Sequence, residues 1–305
     1  MDVIPVNGTE ERIKYMKKEI VSGARVAFIF VLFIFLTSGI SPIVSRYVSF
    51  MDDNITSSII MVLAAFGLYM LNRKHLPSGL FKVGERMSAT TFFATFGLFA
   101  MLQFSTAVSG PNYVAEGTDS PGFIFYMGFI VPICEETVFR GTIAPRYEKY
   151  GRVFSIIASS LLFGAYHLNL IQLVTGFFAG MVFCYIAGRY GIIWSMLLHM
   201  LNNGVLALLL KTLFRSSGNG FLAKYGIVAV CAVFVVVGAI SAICLHPVKS
   251  VRSYLSEGAK TEKGAYKTVI LNVWTILLLI IDIGMTIGIV LMGPEVVDSM
   301  TSIQR

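Results

Sequence analysis

The chain has 305 residues, 56% of them hydrophobic and only 13% charged, with a mean hydropathy of +0.76. A soluble domain carries about 25% charged residues, so composition excludes an ordinary soluble enzyme and points to an integral, multi-pass membrane protein. The net charge of +7 would suggest nucleic acid in a soluble protein; here basic loops on the cytoplasmic face account for it, and no nucleic-acid partner is expected.

Residues 1–23 are polar and basic and read as a cytoplasmic segment, with a short interfacial helix ahead of the first span. No small-residue cleavage site follows the first apolar run, which predicts an uncleaved anchor. Crossing a bilayer takes roughly 20 apolar residues at about 1.5 Å each. That rule predicts spans at 24–43, 55–71, 88–108, 121–143, 153–168, 170–188, 192–213, 223–245 and 268–292, the fifth and sixth being the shortest. The expected fold is an all-α transmembrane bundle of eight to nine spans. It divides into flanking helices over 24–110, a four-helix catalytic core over 120–213 and C-terminal helices over 222–305.

Charge supports this layout. With the N-terminus cytoplasmic, eighteen basic residues fall inside and five outside (Arg46, Lys211, Arg215, Lys224, Arg305), with Arg140 in a span. That asymmetry follows the positive-inside rule. The basic stretch from Lys249 to Lys267 reads as a charge belt at the membrane surface. Cys134, Cys184, Cys231 and Cys244 all lie in apolar segments and read as buried thiols outside any disulfide framework.

The span at 121–143 contains Glu135, Glu136 and Arg140. An ionisable residue at bilayer depth costs on the order of 3 kcal/mol, so it faces a bundle interior and has a function. Two further spans carry His167 and His199. Glu136 and Arg140, Phe163 and His167, and His199 and Asn203 are each four residues apart, which puts each pair on one helix face. Glu136 is placed to pair with Arg140, whereas Glu135, turned by about 100°, is the freer carboxylate. A partly desolvated carboxylate can serve as a general base. Two imidazoles can hold Zn²⁺ or orient a water, and an amide can stabilise an oxyanion. Phe163 and Tyr166 read as pocket lining or packing, Asn202 as interhelical glue or solvent-facing, Gly176 and Gly180 as a close-packing GxxxG, and Asp282 as a buried structural carboxylate.

Glu135-Glu136-x-x-x-Arg140, Phe163-x-x-x-His167 and His199-x-x-x-Asn203, in this order, resemble the three motifs of the CPBP family, the CAAX-protease and bacteriocin-processing intramembrane proteins related to the Ras-converting prenyl protease. The resemblance covers residues 120–210. It implies a glutamate-dependent endopeptidase open to the cytosol. By position, Glu135 is the water-activating carboxylate, Glu136 and Arg140 its supporting pair, and His167 the residue that holds water or metal. His199 and Asn203 are the oxyanion or ligand pair, and His167, His199 and Glu135 the candidate Zn²⁺ ligands. The implied partners are membrane lipid and a membrane-associated peptide, prenylated at a CAAX terminus or of leader or pheromone type. The implied setting is a bacterial or archaeal cell membrane. Two other readings stay open from the residues: a non-proteolytic immunity or scaffold protein on the same fold, and a transporter using Glu135 and Asp282, against which stands the lack of inverted repeats.

Depth poses a test. His167 lies about 22 Å along its helix from Arg152, Glu135 and His199 only about 10–12 Å from their cytoplasmic ends. One site requires the fifth helix to tilt, start shallow or turn back at Leu168-Asn169. Such a turn is tolerated only where protein or a watery cavity surrounds it.

Overall fold

The computed structural model describes residues 9–48, 53–77, 79–82, 84–108, 121–207, scattered positions between 232 and 243, and 249–302. Helices supply the regular elements throughout. They are α1 (Thr9–Tyr47), α2 (Asp53–Asn72), α3 (Ala89–Val108), α4 (Pro121–Glu148), α5 (Arg152–Ala165), α6 (Leu170–Tyr190), α7 (Ile192–Met200, running on in π geometry to Ala207), α8 (Lys249–Glu257), α9 (Ala265–Ile270) and α10 (Val273–Ser302). Among the described residues, α1, α2 with its 3-10 extension to His75, α4 and α6 are long and apolar enough to cross a membrane. The stretches 89–102, 152–165 and 273–288 are shorter apolar helices. The end of the expected seventh span, the loop around Arg215, most of the eighth span, Cys231 and Cys244 lie outside the described residues.

The helix expected ahead of the first span and the span itself are one element. α1 runs through both because Met16, Ile20, Ala24, Ala27 and Val31 form one buried stripe at helical spacing. Glu19, buried on the same helix, is neutralised by Arg146 Nε and Lys149 Nζ, both at 3.4 Å, with His75 Nδ1 at 3.5 Å. Tyr147 Oη donates to the Ile20 carbonyl at 2.8 Å. These contacts dock α1 onto the end of α4.

α4 is one helix with two π turns, Tyr126–Ile130 and Phe139–Ile143. Each ends just before an X-Pro step, Val131-Pro132 and Ala144-Pro145. A proline inside a helix has no N–H and its ring collides with the carbonyl four residues back. Widening the preceding turn relieves that clash: the Val131 amide reaches back to the Tyr126 carbonyl and the Ala144 amide to that of Phe139, each five residues away.

The expected fifth span is a partial crossing. α5 has 14 residues, about 21 Å at 1.5 Å each against a hydrocarbon core of about 30 Å. The chain turns back where depth required it. Leu168 adopts φ 54°, in the left-handed region, and the buried Asn169 caps α6, its Oδ1 accepting from the amides of Ile171 at 3.0 Å and Gln172 at 3.2 Å. α5 and α6 pack backbone to backbone. A Cβ on Gly164 would sit 2.4 Å from the Leu173 carbonyl oxygen, and one on Gly176 would sit 3.3 Å from the Gly164 Cα. The GxxxG therefore does close packing.

The basic stretch 249–267 is more than a charge belt. Tyr254, Ala265 and Val269 are buried, Arg152 donates to the Tyr254 carbonyl at 2.6 Å and lies 4.2 Å from its ring centroid, and Glu262 pairs with Arg12. α8 and α9 thus fasten the α4–α5 connection and the start of α1.

Candidate active site

α4 presents its charges on two faces. Arg140 Nη1 lies 2.9 Å from Glu136 Oε1, both side chains at most 1% exposed. Arg140 Nη2 donates to the Gly180 carbonyl at 3.3 Å, and the guanidinium carbon lies 4.1 Å from the Phe163 ring centroid and 5.2 Å from that of Phe183. The cation is held by an anion, a carbonyl dipole and two ring faces, which is what a charge at this depth needs.

Glu136 has two more donors, both from α7. Ser195 Oγ donates to Oε2 at 2.6 Å, and His199 Nδ1 lies 2.9 Å from Oε1. An ionised carboxylate only accepts, so His199 carries a proton on Nδ1 and turns Nε2 toward Glu135, whose Oε2 is 3.5 Å away. The imidazole thus stands between the two carboxylates, stacked 4.4 Å from Phe183.

Glu135 accepts from Tyr166 Oη at 2.9 Å through Oε1. Its Oε2 is buried and has no hydrogen-bond partner among the described residues. His167 arrives from the end of α5. Its Nδ1 lies 2.8 Å from the Phe163 carbonyl, so Nδ1–H donates there and the Nε2 lone pair stays available. Its ring packs edge-on to Phe163 at 4.9 Å and Tyr166 at 5.0 Å, with Glu135, His199 and Arg140 within electrostatic reach. The structure therefore brings Glu135, Glu136, Arg140, His167 and His199 to one locus.

Asn203 follows His199 by four residues on α7, at the junction with the first π turn of α4. Its Nδ2 lies 3.5 Å from the Met127 carbonyl and its Oδ1 accepts from Asn202 Nδ2 at 3.0 Å. Pro132 has no amide for Met127, which leaves that carbonyl for Asn203. Cys134 is a fully buried free thiol.

Two groups in direct contact with the carboxylates are additions to the sequence reading. Ser195 carried one weak signal, its four-residue spacing from His199. Tyr166, expected as pocket lining or packing, donates to Glu135. Among the described residues no group of three His, Cys, Asp or Glu side chains meets the geometry of a metal site. Glu135 Oε1 and both oxygens of Glu136 already accept protein hydrogen bonds. Glu135 Oε2 and the Nε2 atoms of His167 and His199 are the atoms left without a protein hydrogen bond among the described residues.

Residues 118–205 match the family model described as Type II CAAX prenyl endopeptidase Rce1-like. The chain carries an Rce1-like domain. It spans α4 to α7, the helices that build the carboxylate–imidazole cluster. The Rce1-like family is a protease family, and four helices of the chain are long and apolar enough to cross a bilayer, which supports an integral membrane protein. No curated protein and no solved structure matches the chain.

Proposed function

We propose that this Rce1-like chain is an intramembrane endopeptidase in which Glu135 activates the attacking water. One observation carries the reading: Glu135 Oε2 is buried and unpaired among the described residues, and it faces the His199 Nε2 lone pair at 3.5 Å. A water seated between Glu135 Oε2 and the two Nε2 atoms gives its proton to Glu135 as its oxygen bonds to the scissile carbonyl carbon. The C=O π pair moves onto oxygen, and the oxyanion meets the weakly engaged Asn203 amide. As the C–N bond breaks, the proton on Glu135 passes to the leaving amine, which restores the carboxylate. Tyr166 fixes the rotamer of Glu135, and Arg140, Ser195 and Glu136 fix that of His199.

The substrate is a membrane-associated peptide, with a prenylated CAAX terminus as the first choice on the strength of the family description. The positive-inside asymmetry supports a cytoplasmic N-terminus and a site open to that side. The experiment compares wild type and Glu135→Gln in nanodiscs, on a farnesylated CAAX-type peptide and its unprenylated form, with products mapped by mass spectrometry. Wild type releases the C-terminal tripeptide, and Glu135→Gln falls by roughly 10²–10⁴-fold, the range of a lost general base. Equal products from both proteins would end the glutamate mechanism.

A further inference from the structure

α10 carries one acid in its apolar run, Asp282, whose side chain is fully buried. Neither oxygen has a partner in hydrogen-bond geometry among the described residues. A buried carboxylate outside the reaction requires a reason, and its neighbours supply one. It faces the backbone of Asn169, in the turn that follows His167. One helical turn further, Thr286 Oγ1 accepts from the Leu170 amide at 3.0 Å and donates to the Asp282 carbonyl at 2.9 Å.

The first amides of a helix have no partner within it. In α6, Thr286 takes Leu170 and Asn169 Oδ1 takes Ile171 and Gln172, while the Asp282 carboxylate stands where the helix dipole favours an anion. The turn cannot hold itself equally well. Its own bonds are long, His167 amide to Gly164 carbonyl at 3.2 Å and Leu168 amide to Ala165 carbonyl at 3.5 Å, and Leu168 sits at φ 54°, a conformation that persists only where the surroundings impose it. We propose that Asp282 and Thr286 are positioning residues for His167: the last helix clamps the α5–α6 turn and so sets where Nε2 points. The proposal rests on His167 belonging to the active site, and it extends that site to a helix outside the Rce1-like match.

The test uses full-length protein labelled with ¹⁵N-histidine in nanodiscs, whose four histidines are assigned by single His→Gln variants. Thr286→Val, nearly isosteric, and Asp282→Leu are expected to displace or double the His167 ring resonances and leave those of His199 in place. Thr286→Ser and Asp282→Asn, which keep an acceptor, restore them. Turnover of the farnesylated CAAX-type peptide falls on the order of 10²-fold in kcat with KM little changed in the first two variants, the scale expected when a reacting group is misplaced by about 1 Å. Unmoved His167 resonances in Thr286→Val overturn the clamp. So does movement of His167 and His199 together with a collapsed thermal transition, which would make α10 a general support. If wild type cleaves neither peptide form, the proposed function falls, and the resonances still decide the clamp.

Discussion

Replacing Arg140 by methionine tests how charge is sustained at the centre of α4. The change keeps an unbranched apolar stem of similar reach and removes the cation. At the observed 2.9 Å and an effective dielectric of about 20, the lost attraction to Glu136 is about 6 kcal/mol. Ser195 and His199 still donate to Glu136. The net loss should therefore sit within the roughly 3–5 kcal/mol seen when one partner of a buried pair is removed. Glu136→Gln in the same background removes the stranded anion, so the double variant should recover much of that loss. The assay is a double-mutant cycle by reversible unfolding in lipid micelles, read alongside peptide cleavage. Arg140→Met within about 1 kcal/mol of wild type, or a double variant as unstable as the two single effects added, would refute the view that Arg140 exists to make Glu136 tolerable.

Three further outcomes follow from the geometry. Ser195→Ala removes a 2.6 Å donor to a buried carboxylate and should cost about 1.5–3 kcal/mol, with a fall in kcat as Glu136 loosens its hold on His199; Ser195→Thr, which keeps the hydroxyl, should retain most activity. Gly164→Ala places a Cβ 2.4 Å from the Leu173 carbonyl oxygen, so α5 and α6 must separate; a loss of about 1–3 kcal/mol is expected, visible as a lower unfolding midpoint. Metal removal is the sharpest check on the donor arrangement: dialysis against 1,10-phenanthroline, with metal content read by mass spectrometry, should leave cleavage of the farnesylated peptide intact. A proportional loss of zinc and activity, restored by Zn²⁺, would show that His167, His199 and Glu135 rearrange to bind it.

Much of the site was legible because its members repeat at four-residue spacing inside apolar runs. Glu136 and Arg140 lie on one helix, so periodicity alone predicts their pairing and the separate direction of Glu135. The turn at Leu168-Asn169 was legible from depth, since His167 could not otherwise meet Glu135. What stayed hidden depends on contacts between distant helices. Serine in an apolar helix commonly bonds the carbonyl four residues back, as Ser160 does to Ile156, so nothing marked Ser195 as a carboxylate donor. Tyr166 reaches Glu135 across 31 positions of sequence. Nothing local marks Glu19 as buried, since its partners Arg146 and Lys149 lie some 130 positions away.

The two π turns of α4 give it an independence of phase that a plain helix lacks. The upper part must aim Glu135 and Glu136 at the histidines, and the lower part must aim Arg146 and Tyr147 at α1. In an uninterrupted α-helix, those two aims are locked at 100° per residue. The extra residue in the turn at Phe139–Ile143 resets the angle between them, and Pro145 fixes where the reset occurs. Forcing the same residues into an uninterrupted α-helix would swing the α1-docking face by about 100° while leaving the carboxylates on their original bearing. The catalytic face and the docking face are thus geared separately on one shaft.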